Sequence, residues 1–253
     1  MSGSSESANE KIIKSKKRIQ NHGEVFTPKR IVNKMIDLPN IREACQNLTS
    51  TFLEPAAGEG AFLVEVLKRK MQMVEEKYGD DLTRYENYSL LALSTLYGVE
   101  LLEDNAQKCV MNMYQVYYEA YLQQAIARGA KVKNSVLDSA KLIISKNIAQ
   151  GNFLTKLSSF GNPVVFSEWK PVNFRKDVKT IKVQRTEYTL DDILNGVEKE
   201  SGEPLTHSVQ IEQLDLFELF DDEEIADTNE KRMKYVTVKI TDVYKEEMEE
   251  VDG

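Results

Sequence analysis

A glycine-rich turn is the first feature of this sequence that could do chemistry. Residues 54–60, EPAAGEG, follow a short apolar run at residues 50–54 and precede an apolar helical pattern from Ala61 to about Lys77. Glycines in a strand-to-helix turn let the backbone approach a ligand, and the N-terminus of the following helix faces that ligand. A tight turn without any ligand has the same sequence features, so this turn alone does not identify a site.

A carboxylate follows at the end of the next strand pattern. Residues 96–100, LYGVE, are typical of a strand that ends at Glu100. An acidic side chain at the C-terminal end of such a strand can accept hydrogen bonds from both ribose hydroxyls of an adenosine-containing cofactor, and ligands of open α/β sheets bind along that edge. The turn and Glu100 together predict a cofactor site at the ends of the first two strands.

The elements that must position these residues alternate between helices and strands. One helix is predicted to begin with Thr27 as its N-cap and Pro28 at its first position. A second, long helix is predicted to run from Asp104 to about Ala127. Residues 148–154 and 163–169 are two further strand patterns, so the alternation predicts an α/β fold with a mainly parallel sheet. Beyond Trp169, residues 178–189 and 235–243 alternate like strands, and residues 190–195 favour a short helix.

Charge is distributed unevenly along the chain, whose formal net charge is -8. From Asp191 to Gly253 there are 20 acidic and 6 basic residues, a net of -14, whereas the first 190 residues have 27 basic and 21 acidic residues, a net of +6. This asymmetry favours nucleic-acid binding by the first part and a solubilising or partner-regulating role for the acidic end.

Several classes of protein are disfavoured by composition. There is no run of about 18 uncharged apolar residues and no apolar segment of a secretory signal near the N-terminus, which predicts a soluble cytoplasmic protein without membrane contact. Cys45 and Cys109 form no CxxC pair, and the chain has only 2 His, so we expect reduced thiols and no metal site.

Four segments in order carry a family resemblance: residues 23–28 (GEVFTP), 52–63 (FLEPAAGEGAFL), 97–101 (YGVEL) and 151–154 (GNFL). In order and spacing they resemble the cofactor motifs of N6-adenine DNA methyltransferases from restriction-modification systems, with a gamma-like motif order. The resemblance covers about residues 21–162. It implies a Rossmann-like methyltransferase fold in which S-adenosylmethionine lies across the strand ends.

The resemblance also implies roles for individual residues. Phe26 and Thr27 would border the methionine part of the cofactor and its carboxylate. Glu54 and the backbone from Ala56 through Gly58 to Gly60 would line the methionine and sulfonium region. The remaining cofactor residues are Glu100 for the ribose, Leu101 packed on the adenine, and Asn152 with its neighbour Phe153 for the adenine amino group. Asn152 stands where the family usually has Asp, so its carbonyl would accept this bond without charge assistance.

The catalytic motif departs from the family pattern, which is Asn or Asp, then Pro-Pro and an aromatic residue directly after an apolar strand. The nearest match here is Asn162 and Pro163, with Val165 in the aromatic position and Phe166 next to it. In one interpretation Asn162 and Pro163 accept hydrogen bonds from the adenine amino group, and the aromatic residue stacks on a base extruded from the duplex. In the other, Asn162 and Pro163 form only a turn into the strand at residues 164–166. A third assigns the stacking ring to Trp169.

These observations divide the chain into a basic N-terminal arm at residues 1–20, a methyltransferase-like domain at residues 21–172 and an acidic α+β extension at residues 173–253. Three functions remain open. The first is an S-adenosylmethionine-dependent adenine N6 methyltransferase of a restriction-modification or phage-defence system, acting on DNA. The second is a catalytically inactive subunit that binds a partner, which would complete the sheet or recognise the target. The third is an acidic DNA mimic.

Overall fold

The computed structural model describes residues 27–175, 178–205 and 233–251. The expected basic arm at residues 1–20 and the predicted cofactor residue Phe26 lie outside these ranges. Seven α-helices and eight strands are present in the described ranges. The helices are α1 (Lys29–Ile36), α2 (Pro39–Cys45), α3 (Ala61–Tyr78), α4 (Leu82–Leu93), α5 (Glu103–Ala127), α6 (Asn134–Asn147) and α7 (Leu190–Asn195). The strands are β1 (Phe52–Glu54), β2 (Leu96–Glu100), β3 (Ile148–Gln150), β4 (Val165–Pro171), β5 (Lys182–Thr189), β6 (Met233–Tyr235), β7 (Val238–Lys239) and β8 (Met248–Glu250).

The first three strands form a parallel sheet in the order β1-β2-β3. Leu53 lies opposite Tyr97, and Val99 lies opposite Ala149. Each crossover contains two helices, α3 and α4 between the first pair of strands and α5 and α6 between the second. This confirms the predicted α/β arrangement for the part of the chain that contains the glycine-rich turn.

The later strands are antiparallel, which corrects the expectation of a mainly parallel sheet. β4 pairs with β5 in antiparallel register, and β5 pairs with β7 in the same way. A parallel neighbour needs a crossover of about a dozen residues or more, usually a helix. Residues 151–164 form a folded-back loop instead, in which the N–H of Val164 donates to the carbonyl of Lys156 at 2.9 Å. The chain therefore turns back, and β4 starts a second sheet.

The two faces of the parallel sheet are covered by different layers. Leu96 and Ile148 belong to a large apolar core with the helices, in which Tyr117 and Tyr121 of α5 are fully buried. These two tyrosines, one helical turn apart on α5, are thus core residues. On the opposite face, Val99 forms a smaller cluster with residues that include Phe166 of β4. The second sheet contributes Phe166 to this face, whereas its residues Trp169 and Val183 belong to the large core.

The C-terminal elements are integral to this arrangement. The expected strand at residues 235–243 is divided into two short strands followed by a 3₁₀ helix, Ile240–Lys245. Ile240 and Val243 are buried three residues apart, the period of a 3₁₀ helix, and this helix packs on α6. The expected boundary after residue 172 falls between β4 and β5, which are neighbours in one sheet.

Local signals explain the helix ends. α1 begins at Lys29 with Pro28 as its N-cap, and Thr27 is exposed in front of it, so the predicted start is one residue too early. α7 matches its prediction and begins with a capping box, in which Thr189 and Asp192 exchange side-chain to backbone hydrogen bonds. None of the helices in the described ranges is long and apolar enough to cross a membrane.

Candidate functional site

The loop between β1 and α3 is shaped by two glycines with left-handed backbone conformations. Gly58 has φ +56° and Gly60 has φ +86°. A Cβ atom at Gly60 would lie 2.8 Å from the Sγ of Cys109, so close packing on α5 requires glycine there. A Cβ atom at Gly58 would meet no heavy atom within 4 Å. Gly58 therefore borders open space at the N-terminal end of α3, where a ligand can approach the backbone.

Glu100 connects this loop to the beginning of α5. Its side chain is buried, with 7% of the residue exposed. One carboxylate oxygen accepts a hydrogen bond from the N–H of Gly58 at 2.7 Å. The other oxygen accepts from the N–H of Leu102 at 3.0 Å and from the side-chain amide of Asn105 at 3.4 Å. The structure thus brings the predicted turn and the predicted carboxylate into direct contact.

The same carboxylate has limited capacity for a further donor. A carboxylate offers about four acceptor positions, and three donors already approach Glu100. A ligand hydroxyl would therefore share this group with the loop or displace one of the N–H donors. The role of Asn105 was not predicted from the sequence, although its place on the first turn of α5, five residues after Glu100, is a usable signal.

Burial shapes the chemistry beneath the loop. Burial raises the pKa of Glu54, while the hydrogen bond from the N–H of Ala56, at 3.2 Å, acts in the opposite direction. Burial also raises the pKa of the Cys109 thiol to about 12, and the charges of Glu100 and Glu54 add to this effect. Cys109 is therefore a protonated, buried thiol at neutral pH.

The end of β3 supplies the third part of this edge. The N–H of Gly151 donates to the carbonyl of Glu100 at 2.8 Å, which places Asn152 next to the C-terminal end of β2. The side-chain oxygen of Asn152 accepts from the N–H groups of Leu154 at 2.9 Å and Thr155 at 3.3 Å. Both lone pairs of that oxygen are thereby used. Its expected bond to an adenine amino group stays a prediction, and it requires the loop to release one of these contacts.

Two apolar residues of the predicted cofactor set lie in different environments. Leu101 is 47% exposed directly after β2, so its side chain is accessible to a flat apolar ligand. Phe153 is partly buried and packs against the small cluster that contains Val99 and Phe166. Thr27 is exposed in front of α1. Of these residues, Leu101 offers the most exposed apolar contact at the strand ends.

Asn162 and Pro163 form a turn that leads into β4. The carbonyl of Asn162 accepts from the N–H of Ser158 at 2.7 Å, and the N–H of Asn162 donates to the Ser158 hydroxyl at 3.3 Å. Gly161 has φ +88°, which reverses the chain immediately before them. Pro163 is exposed and makes an isolated bridge with Leu157. The turn interpretation thus describes the local structure, and a catalytic role for these residues stays a prediction.

The aromatic residues near that turn are core residues. Phe166 is 2% exposed and makes an edge-to-face contact with Tyr97, with centroids 5.6 Å apart. Trp169 is 4% exposed, and its indole N–H donates to the side-chain oxygen of Asn147 at 3.0 Å. Both rings are thus buried among protein side chains, and a role for Phe166 or Trp169 in stacking on an extruded base stays a prediction.

Comparison with known proteins finds a family match for the part of the chain that contains the glycine-rich loop. Residues 9–134, about half of the chain, match the family model described as N-6 DNA Methylase. The matched range includes β1, β2, α5 and the loop at residues 55–60, and it ends before β3. No curated protein and no solved structure matches the chain.

Proposed function

Because the chain belongs to the N-6 DNA methylase family, we propose that it binds S-adenosylmethionine at the C-terminal ends of β1 to β3 and acts on the amino nitrogen of adenine in DNA. The observation that carries the proposal is the contact between the N–H of Gly58 and the carboxylate of Glu100 at 2.7 Å. It joins a ligand-accessible loop to an acidic strand end, the pair of features that adenosine cofactors use in open α/β sheets. A restriction-modification or phage-defence role is part of the same proposal and rests on the sequence resemblance.

The residues at this edge fit such a cofactor. Open space at Gly58 admits a group against the backbone, and Glu100 is an acceptor for hydroxyl donors. Leu101 offers an exposed apolar side chain for a purine ring. Glu54, with its pKa raised by burial, lies before the loop and would be close to the positively charged sulfonium. A carboxylate in that place favours a cation, and in turn a bound cation would lower its pKa.

The cofactor would supply a methyl group on a sulfonium, and the protein would contribute alignment and exclusion of water. Transfer between two bound groups gains most of its rate from orientation, so the decisive residues are those that hold the adenine amino group. We assign that role to Asn162 and to the carbonyl of Pro163. Both lie on a loop attached to the end of β3, since the Ser159 hydroxyl of this loop donates to the side chain of Gln150 at 2.8 Å.

A second candidate function is a catalytically inactive subunit that binds a partner protein. It is favoured by the burial of Phe166 at 2% exposure, since this leaves no aromatic ring of β4 for an extruded base. In that case the chain would keep the cofactor loop, and another polypeptide would provide the residues that contact adenine. Cofactor binding is expected under both functions, whereas methyl transfer by the isolated chain is expected only under the first.

Calorimetric titration with S-adenosylmethionine tests the shared part of the proposal. We expect micromolar binding by the wild type, and loss of binding in Glu100→Ala because the Gly58 loop and α5 lose their common acceptor. Glu103→Ala is the matched control, since it removes an exposed carboxylate from the same region. Absence of binding to folded wild-type protein, or an equal loss in Glu103→Ala, would contradict the assigned site.

A transfer assay then separates the two candidates. Protein, radiolabelled S-adenosylmethionine and duplex DNA rich in adenine are incubated, and methyl incorporation is measured for the wild type and for Asn162→Ala. Incorporation that falls at least about a hundredfold in the variant, with cofactor affinity retained, supports the enzyme. Cofactor binding without any incorporation by the wild type supports the inactive subunit.

A further inference from the structure

Strand β1 has a free edge in the structure. Among the described residues it pairs only with β2, and no strand lies on its other side. The N–H of Phe52 donates to the carbonyl of Thr95 on the paired side. Because peptide groups alternate in direction along a strand, the N–H and carbonyl of Leu53 point to the unpaired edge. Such groups are ready to pair with another strand.

An apolar groove lies next to this edge. Its volume is about 350 Å³, and it is lined by Leu53 and Tyr97 of the parallel sheet and by Phe166 and Tyr188 of the second sheet. Four residues at and after the end of α7 also line it: Ile193, Gly196, Val197 and Glu198. Leu53, Ile193 and Val197 are 37%, 41% and 44% exposed. The open edge of β1 and the apolar side chains that line the groove thus form one continuous surface, which we call the edge groove.

The edge groove is separate from the cofactor site. It is lined by Thr51, directly before β1, and by Leu53 in the middle of the strand. The glycine-rich loop follows the opposite end of the strand, after Glu54. A ligand at Gly58 and Glu100 therefore does not account for the groove, and an occupant that uses the free backbone groups of Leu53 must itself have an extended backbone.

The charges at the groove indicate the chemistry of that occupant. Glu168 and Glu198 line it, and both are exposed. In the part of the chain that the structure describes, neither carboxylate has a Lys or Arg within 4.0 Å, while the neighbouring Lys199 is paired with Asp192 at 2.9 Å. A segment with basic residues beside its apolar stretch complements these two acids.

We propose that the edge groove binds a β-strand of a second polypeptide, apolar at alternate positions and flanked by basic residues. The strand would pair with the backbone of Leu53, insert its apolar side chains between Leu53 and Val197, and place a basic residue near Glu168 and Glu198. If it runs parallel to β1, the residues after it arrive beside the loop at Gly58. This docking is independent of cofactor binding, so either can fail without the other.

A synthetic strand tests the proposal with the full chain. The probe is a fluorescent peptide of alternating Val and Thr flanked by lysines, and binding is followed by fluorescence anisotropy. Val197→Glu should weaken binding at least about tenfold, and Glu198→Lys should weaken it and reduce its salt dependence. Ile126→Glu on α5 is the matched control, because Ile126 is 66% exposed and does not line the groove. Ile193→Glu repeats the test should Val197→Glu be poorly folded by circular dichroism.

Hydrogen exchange tests directly whether the peptide pairs with the open edge of β1. Saturating peptide should slow exchange of the Leu53 amide at least about tenfold, since that amide gains a hydrogen bond, while the Ile126 amide is unchanged. Failure of the peptide to bind at millimolar concentration would overturn the proposal. So would equal binding of a peptide with a central proline, undiminished binding by the groove variants, or concentration-dependent dimerisation of the protein that Val197→Glu abolishes.

Discussion

Replacing Gly58 with alanine adds one methyl group at a point where the structure has open space. Gly58 has φ +56°, and its N–H donates to Glu100. No heavy atom lies within 4 Å of the added Cβ, so the methyl group meets no protein atom. The substitution should therefore affect the protein only through backbone strain and through whatever ligand approaches the loop.

The free-energy cost of this backbone strain can be estimated, and a second glycine of the chain provides a control with the same strain. A residue with a Cβ atom in the left-handed region costs about 1 kcal/mol relative to glycine. For a domain of this size this lowers the melting temperature by about 2–4 °C. Gly129 has φ +62° and is also free of atoms within 4 Å, in the loop between α5 and α6. Gly129→Ala should therefore cost the same stability and serve as the control.

Calorimetry with S-adenosylmethionine separates strain from ligand contact. Gly58→Ala should weaken binding at least about tenfold, which corresponds to about 1.4 kcal/mol, because the methyl group occupies the approach to the loop and to Glu100. Gly129→Ala should bind with wild-type affinity. Wild-type affinity of Gly58→Ala, or an equal loss of affinity in the two variants, would contradict a ligand contact at Gly58.

Three further predictions concern stability and reactivity. Lys70→Met should lower the free energy of unfolding in urea by about 2–4 kcal/mol, because three backbone carbonyls lose the ammonium that binds them, while the exposed Lys68→Met should change it little. Burial lowers the pKa of Lys70 to about 8 from 10.5, so the unfolded chain holds this proton more tightly than the folded protein does. The free energy of unfolding of the wild type, measured relative to Lys70→Met, should therefore rise as the pH is raised from about 8 to 10.5. A difference between the two proteins that does not change with pH would contradict this. Arg185→Met should destabilise by about 3–5 kcal/mol, because it removes the guanidinium from a buried ion pair with Glu187. It should also alter tryptophan fluorescence, because the guanidinium lies over the Trp169 ring, and an unchanged spectrum would contradict this. The Cys109 thiol should resist a disulfide reagent in folded protein at pH 8 and react after unfolding, and rapid labelling of folded protein would contradict its burial.

The cofactor edge could be predicted from sequence because its signals are local. A run of small residues after an apolar strand, as at residues 54–60, fixes a turn and the start of a helix whatever the rest of the chain does. Glu100 follows from the same logic, since a strand that ends in an acid places that acid at the sheet edge. The parallel pairing of β1, β2 and β3 then follows from the length of the intervening crossovers.

The later part of the fold could not be predicted in this way because it depends on pairing partners. The apolar run of β4 is compatible with either a parallel or an antiparallel neighbour, and only the folded-back loop before it decides. Likewise, residues 235–243 alternate as a strand does, yet Ile240 and Val243 also satisfy a three-residue period. Whether Asn152 faces a ligand or its own loop depends on the local N–H groups of Leu154 and Thr155, which motif spacing does not describe.

The hydrogen bonds that Glu100 already accepts affect both the free energy of ligand binding and the NMR signals of the amides that donate them. Because its oxygens already accept hydrogen bonds from the amides of Gly58 and Leu102, a hydroxyl donor that binds there competes with these amides for the same two oxygens, and the net gain is smaller than that of a bond to an empty acceptor. This competition makes the two amides natural probes. Their proton chemical shifts should move together in NMR spectra when a hydroxyl-bearing ligand arrives, and remain unchanged for a ligand that contacts only Leu101.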